Sequence, residues 1–242
     1  MHFIKLDAIG STNDFLKDLA KQHAIENFTI VTAESQTSGR GQRGAVWQSE
    51  PGKNLTMSLF LRFYDREAEQ LFVLNVITGL VIAQVLKDLQ IPAITLKWPN
   101  DIMSGNKKVG GILIENNVKT ATNFESVIGI GLNVNQVDFE GLPSAGSLYT
   151  QTLREHDKDQ IAVQIAEALK SRVASMQENA NQIWEEYNAN LFRKGQPTVF
   201  EDQSGNQFMG IISTASRDGR IGILLEDDSV KFFGIKDVTM RY

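Results

Sequence analysis

A chain of 242 residues, 42% hydrophobic and 22% charged, has the composition of a globular protein with room for one large domain and a small one. Its formal net charge of −5 gives no general basic field for holding a nucleic acid backbone. The absence of cysteine excludes disulfides, thiolate metal sites and thioester intermediates.

The first residues, Met1–Asp7, lack the basic and apolar regions of a secretory signal, and no uncharged apolar run reaches bilayer length. A cytoplasmic protein is the expectation. His2–Leu6 alternates like a short strand. Ser11-Thr12-Asn13-Asp14 has the form of a capping box, and Phe15, Leu16, Leu19 and Ala20 follow it at helical spacing. Phe28–Ala33 reads as a strand, Glu34–Asn54 as a polar, glycine-containing stretch, and Leu55–Phe63 as an apolar run. Glu67–Leu89 carries Leu71, Leu74, Val81, Val85 and Leu89 on a helical period. Ala93–Trp98, Val109–Glu115 and Val127–Val134 are apolar and β-branched, as in buried strands. Asp157–Arg193 predicts two amphipathic helices, and Lys194-Gly195-Gln196-Pro197 breaks the pattern. Short strands then follow, with turns at residues 202–206, 217–219 and 226–228, in the form of a small all-β barrel. The expected domains are residues 1–194 and 195–242.

The most informative segment is Gln36-Thr37-Ser38-Gly39-Arg40-Gly41-Gln42-Arg43-Gly44. Gly39, Gly41 and Gly44 match the dinucleotide fingerprint, but that motif must open a helix. Here residues Trp47–Asn54 contain Ser49, Pro51 and Gly52 and lead into another strand. What remains is a flexible backbone with Arg40 and Arg43 beside Trp47, suited to closing over a phosphate or carboxylate. The plainer alternative is a solvated loop.

In Lys97-Trp98-Pro99-Asn100-Asp101, Pro99 stops a buried strand, so Asn100 and Asp101 emerge where ligands bind in α/β sheets. An Asx-type turn with surface lysines is the commoner meaning of such a piece. A hairpin turn at Ser104-Gly105-Asn106 leads to Lys107, Lys108 and the run from Val109. Gly110-Gly111 in a buried strand implies close approach to the backbone. A lysine there can set a point charge against developing negative charge, although periodicity does not choose Lys108 over Lys107. Ser11-Thr12-Asn13 serves equally as a helix cap or as a polar surface for a ligand. Asn133, polar within a buried strand, needs a partner from protein or ligand. His2, His23 and His156 are isolated, and no HExxH or phosphate-loop lysine motif occurs.

In this order and at these spacings, Ser11-Thr12-Asn13, the loop from Gln36 to Gly44, Trp47, Lys97–Asp101, Lys108 with Gly110-Gly111, and Gly131-Leu132-Asn133 resemble the biotin–protein ligases. The resemblance covers nearly the whole chain. It implies an α+β fold, with a mixed sheet and flanking helices of the class II synthetase type and an SH3-like β-barrel after it. It also implies ATP and biotin as substrates with Mg²⁺, and a biotinyl-adenylate passed to a lysine of a biotin carboxyl carrier protein or carboxylase carrier domain. By position, Ser11, Thr12, Asn13 and Gln36 would bind the ureido ring, and Arg40, Gly41, Gln42, Lys108, Gly110 and Gly111 would complete the biotin site. Arg40, Arg43, Trp47, Asn100, Lys108 and Asn133 would bind ATP, with Trp47 against the adenine. Lys108, Arg40 and Asp101 are the implied catalytic residues. The first two would stabilise charge on the α-phosphoryl group, and Asp101 would position or deprotonate the acceptor amine. No carboxylate cluster marks the Mg²⁺ ligands.

The family loop often has an arginine where this chain has Gln42. Ten residues precede Ser11, so the DNA-binding domain of repressor-type members is expected to be absent, with no DNA or membrane partner. A homodimer is left open. A lipoate–protein ligase is the nearest rival, but its Arg-Arg-x-Ser-Gly-Gly-Gly signature is missing. Octanoyl transferases of this fold need a cysteine. Lys108 and the loop arginines argue against a non-catalytic biotin sensor, and a pure interaction module would not need the Lys–Asp–Gly constellation.

Overall fold

The computed structural model describes residues 1–63 and 71–242, without the Arg43 side chain. Seven strands form the main sheet in the order β1-β2-β3-β7-β6-β5-β4. They are β1 (His2–Ile9), β2 (Thr29–Gln36), β3 (Leu55–Phe63), β4 (Ile94–Lys97), β5 (Asp101–Ser104), β6 (Lys107–Val118) and β7 (Phe124–Leu132). β1 and β2 pair in parallel and every other pair is antiparallel, so the sheet is mixed.

Strand alternation gives this sheet two apolar faces. On one face Val31, Phe60 and Val127 pack with Leu16 of α1 (Thr12–Gln22). On the other, Ile30, Leu59, Leu61 and Ile128 join a larger core with α2 (Leu71–Asp88), α4 (Lys158–Ala174) and α5 (Ala180–Ala189). A short α3 (Leu148–Thr152), closed by a Ser147–Thr150 capping box, follows β7 after a loop. The larger core continues through Phe200, Ile212, Ile223 and Phe233 into a second, fully antiparallel sheet, ordered β11-β10-β9-β8-β12. Its strands are β8 (Pro197–Asp202), β9 (Gln207–Ala215), β10 (Ile221–Leu224), β11 (Val230–Phe233) and β12 (Val238–Arg241).

Several expectations change. β1 and β2 run on to Ile9 and Gln36 because the two ends pair with each other, so the polar loop starts after Gln36. Asp101–Ser104 is a strand that turn chemistry concealed. Ser11 caps α1 by accepting from the Asp14 backbone N–H, but the Asp14 carboxylate pairs with Lys17 and Arg40 instead of closing a box. The start of the helix expected from Glu67 lies outside the described residues. By length and composition α2 does suffice to cross a membrane, contrary to the expectation that no run would. It is a core helix, 67% buried within the fold.

Candidate active site

β3, β7 and β6 align three side-chain rows on the α1 face: Phe60–Val127–Glu115, Ser58–Gly129–Leu113 and Thr56–Gly131–Gly111. α1 covers the first row. The helix begins at Thr12, so the other two rows extend past its N-terminus, and there the strands supply glycines. A Cβ on Gly129 would stand 2.4 Å from Asn13 Oδ1, and one on Gly131 2.5 Å from Trp47 Cε2. These glycines floor a cleft of about 270 Å³, and Asn13 and Trp47 each occupy one row. Neighbouring rows lie about 7 Å apart along a strand.

The Asn13 end is a network of small polar groups. The Thr12 backbone N–H and hydroxyl donate to Gln36 Oε1 at 2.8 and 3.0 Å. Ser58 Oγ lies 2.6 Å from Asn13 Oδ1 and 2.7 Å from Thr12 Oγ1. Asn13 Nδ2 donates to Glu115 Oε2 at 2.8 Å and to the Leu113 carbonyl at 3.3 Å. With its oxygen occupied, the Gln36 amide keeps donor capacity for a ligand.

At the Trp47 end the chemistry is cationic and aromatic. Lys108 Nζ sits 2.6 Å from Asp101 Oδ1 and 5.8 Å from the Trp47 ring centre. Lys97 holds the other Asp101 oxygen at 3.7 Å. The choice between Lys107 and Lys108 is made by a bulge. The β5–β6 register shifts so that Ile102 faces Gly110 while Met103 faces Lys108, leaving Val109 as the extra residue. Strict alternation would have put Lys107 on the face of Gly111; the bulge turns Lys108 there instead. Lys107 is exposed and reaches the Pro143 carbonyl.

Between the two ends, the loop after β2 folds back on itself. Gly41 N–H donates to the Ala45 carbonyl and Trp47 N–H to the Gly39 carbonyl, around a short helical turn at Gln42–Gly44. No long helix follows, so the dinucleotide reading fails here too. Arg40 Nη2 bonds Asp14 at 2.6 Å and Glu115 at 3.0 Å, tying the loop to α1 and β6. Burial pulls the Glu115 carboxyl upward. Hydrogen bonds from Lys17 and Asn13, with the charges of Lys17 and Arg40, outweigh it and hold the group below its ordinary value. The indole N–H of Trp47 is buried and has no partner among the described residues.

Most predicted residues meet in this cleft. Ser11, Thr12, Asn13 and Gln36 line one part, Arg40, Gly41 and Gln42 the loop side, and Trp47, Asn100, Asp101, Lys108 and Gly111 the rest. Gly110 and Asn133 are not among the residues that line it. A Cβ on Gly110 would meet the Gly131 carbonyl and Leu132, both at 3.0 Å, so that glycine serves strand packing. Asn133 is buried and donates to the Gly146 carbonyl at 2.9 Å, so its partner is protein. The Arg43 side chain lies outside the described residues. Sequence reading missed Ser58, Glu115 and the floor glycine Gly129, and took Gly131 only as part of the Gly131-Leu132-Asn133 motif. The alternate glycines of Gly129-Ile130-Gly131 on a buried strand were the available signal. Among the described residues no group of three or more His, Asp or Glu side chains could hold a metal.

The Biotin/lipoate A/B protein ligase family model matches residues 6–133. The biotin--[acetyl-CoA-carboxylase] ligase of Mycobacterium tuberculosis is 31% identical over 215 residues, covering 88% of this chain and 79% of that protein. The bifunctional ligase/repressor of Bacillus spizizenii is 37% identical over 135 residues, or 56% of this chain. The chain spans only 41% of that relative's length. The structure of the Aquifex aeolicus biotin protein ligase in complex with biotin and ATP is similar at a TM-score of 0.82 and 25% identity, covering 99% of this chain and 98% of that one.

Proposed function

The chain belongs to the biotin/lipoate A/B protein ligase family, and we propose that it is a biotin–protein ligase that joins biotin to AMP and then to a carrier-domain lysine. One observation carries this reading. A single glycine floor holds a neutral donor–acceptor pocket at Asn13 and Gln36 beside a cationic, aromatic pocket at Lys108 and Trp47. The first suits a urea-like ring and the second an adenylate. A dithiolane has neither N–H nor carbonyl on its ring and would leave the Asn13–Gln36 end unused, so lipoate is the poorer fit.

In the first step a biotin carboxylate oxygen attacks the α-phosphorus of ATP and pyrophosphate leaves. Ser11, Thr12, Asn13 and Gln36 bind the ring, while Arg40 with the Gly41 and Gln42 backbone closes over the acyl chain. Trp47, Asn100 and Arg43 take the nucleotide. Lys108 and Arg40 face the charge that develops on the α-phosphoryl group. Lys108 is paired with Asp101 and Arg40 with Asp14 and Glu115, so substrate anions exchange for these carboxylate partners. Asp101, still beside Lys97, then accepts the proton as the carrier amine attacks the acyl carbonyl and AMP leaves. Mg²⁺ would enter with the nucleotide as MgATP and neutralise charge on the leaving pyrophosphate.

Residues 195–242 form, on this reading, a separate SH3-like barrel domain, supported by their five antiparallel strands. The carrier domain of a carboxylase is the expected acceptor, and the cytoplasm, where ATP is supplied, the expected location.

Purified protein with ATP and Mg²⁺ should release pyrophosphate with biotin and not with lipoate, and add the mass of biotin to a carrier-domain lysine. Lys108→Ala should lower kcat/KM about a few hundredfold, roughly 3 kcal/mol of transition-state stabilisation. Release with lipoate alone would move the protein to the sister activity. Tight biotin binding without release would leave a sensor.

A further inference from the structure

Glu115 lies one row away from the cleft floor, paired across β6–β7 with Val127 rather than with a floor glycine. Its carboxylate nevertheless takes a hydrogen bond from Asn13 Nδ2 at 2.8 Å. A carboxylate only accepts, so the Asn13 amide must turn its NH₂ to Glu115. The reversed amide would set two oxygens against each other at that distance. Lys17 at 2.8 Å and Arg40 at 3.0 Å keep the carboxylate charged, which removes the protonated alternative. With the NH₂ so fixed, Asn13 Oδ1 falls toward Ser58 Oγ at 2.6 Å, and the single Ser58 proton must go to it. That leaves one lone pair of Oδ1 above Gly129, where a Cβ would stand 2.4 Å away.

We infer that Glu115, with Ser58, is a specificity-determining positioning residue: together they lock the Asn13 amide so that the cleft offers an acceptor to a ring N–H. The inference rests on the biotin-ligase reading and adds what sets the polarity of the ring end. Without the lock only the longer bond to the Leu113 carbonyl, at 3.3 Å, still favours that orientation, so the amide turns over, presents NH₂, and meets a ring N–H donor to donor. A ligand with no ring N–H is indifferent to the change.

The experiment measures KM for biotin, KM for ATP and the biotin-to-lipoate preference in Glu115→Gln, Ser58→Ala and the double variant, with thermal melting as a check on folding. Glu115→Gln keeps the size of the side chain but lets it donate as well as accept, so it no longer dictates which way the Asn13 amide turns, and Ser58→Ala removes one oxygen. Each single change should raise the biotin KM about fivefold, and the double change more than the product of the two, because each group alone still orients the amide. KM for ATP should stay within about twofold and affinity for lipoate should not fall. An unchanged biotin KM overturns the inference. So do biotin and ATP KM values that rise together, since Glu115 would then act only through Arg40. If the unsubstituted protein releases no pyrophosphate with biotin, the ligase reading itself fails, and this inference with it.

Discussion

Gly129 and Gly131 stand two residues apart on β7, and a methyl group on each would strike a different neighbour. At Gly129 it would meet the Asn13 amide and at Gly131 the Trp47 indole, both inside 3 Å. Overpacking of this kind typically costs about 1–3 kcal/mol. On the proposed assignment, Gly129→Ala raises the biotin KM about tenfold or more and leaves the ATP KM near its original value. Gly131→Ala does the opposite. Steady-state kinetics with each substrate varied in turn would check the pair, and equal effects of both variants on both substrates would contradict the two-row site. Asn133 shows the reverse lesson at this scale. Its partner proved to be the Gly146 carbonyl, and nothing in a one-dimensional pattern tells a buried asparagine that braces a loop from one that meets a ligand.

Among the elements, the loop after β2 owes its position to charge. Arg40 is held by Asp14 of α1 and Glu115 of β6, and Lys17 of α1 shares both carboxylates. Because Glu115 is lowered in the folded protein, its contribution to stability is fully present above its ordinary value of 4.5 and is lost as pH falls through the lowered value. Glu115→Gln should therefore melt below the unsubstituted protein at neutral pH, with the gap closing as the pH drops below 4.5. A gap independent of pH would show that packing, not charge, holds the loop. The sequence displayed the loop itself clearly, through its glycines and arginines. It did not display the tether, since Arg40 and Glu115 are 75 positions apart and only the register of β6 under α1 brings them together.

Across the whole molecule, the second sheet is fastened to the first unit by a few polar anchors over a continuous core. Asn188 Oδ1 accepts from the Ala215 N–H at 2.6 Å and from the Thr214 hydroxyl at 3.0 Å, and its Nδ2 donates to the Ala215 carbonyl at 3.2 Å. The Trp98 indole donates to the Gly219 carbonyl at 3.1 Å, and Lys97 lies 4.7 Å from the Tyr242 ring centre. Asn188→Ala leaves a strand end partly unsatisfied and should cost about 2 kcal/mol, roughly 4–8 °C in Tm for a chain of this size. Calorimetry would check it. The shared core predicts one transition, and two separate transitions would mean that the C-terminal sheet melts independently.

The sequence by itself determined the alternation of strands and helices, the position of the loop, and the residue types that meet at the cleft. Those follow from local chemistry: apolar periodicity, caps, and glycine where backbone must come close. Only the tertiary structure decided which side of the sheet each residue serves. Register gives Glu115 to the Asn13 end and makes Gly129 and Gly131 a floor. The bulge at Val109 hands the site to Lys108 rather than Lys107, because one extra residue in a strand exchanges its two faces.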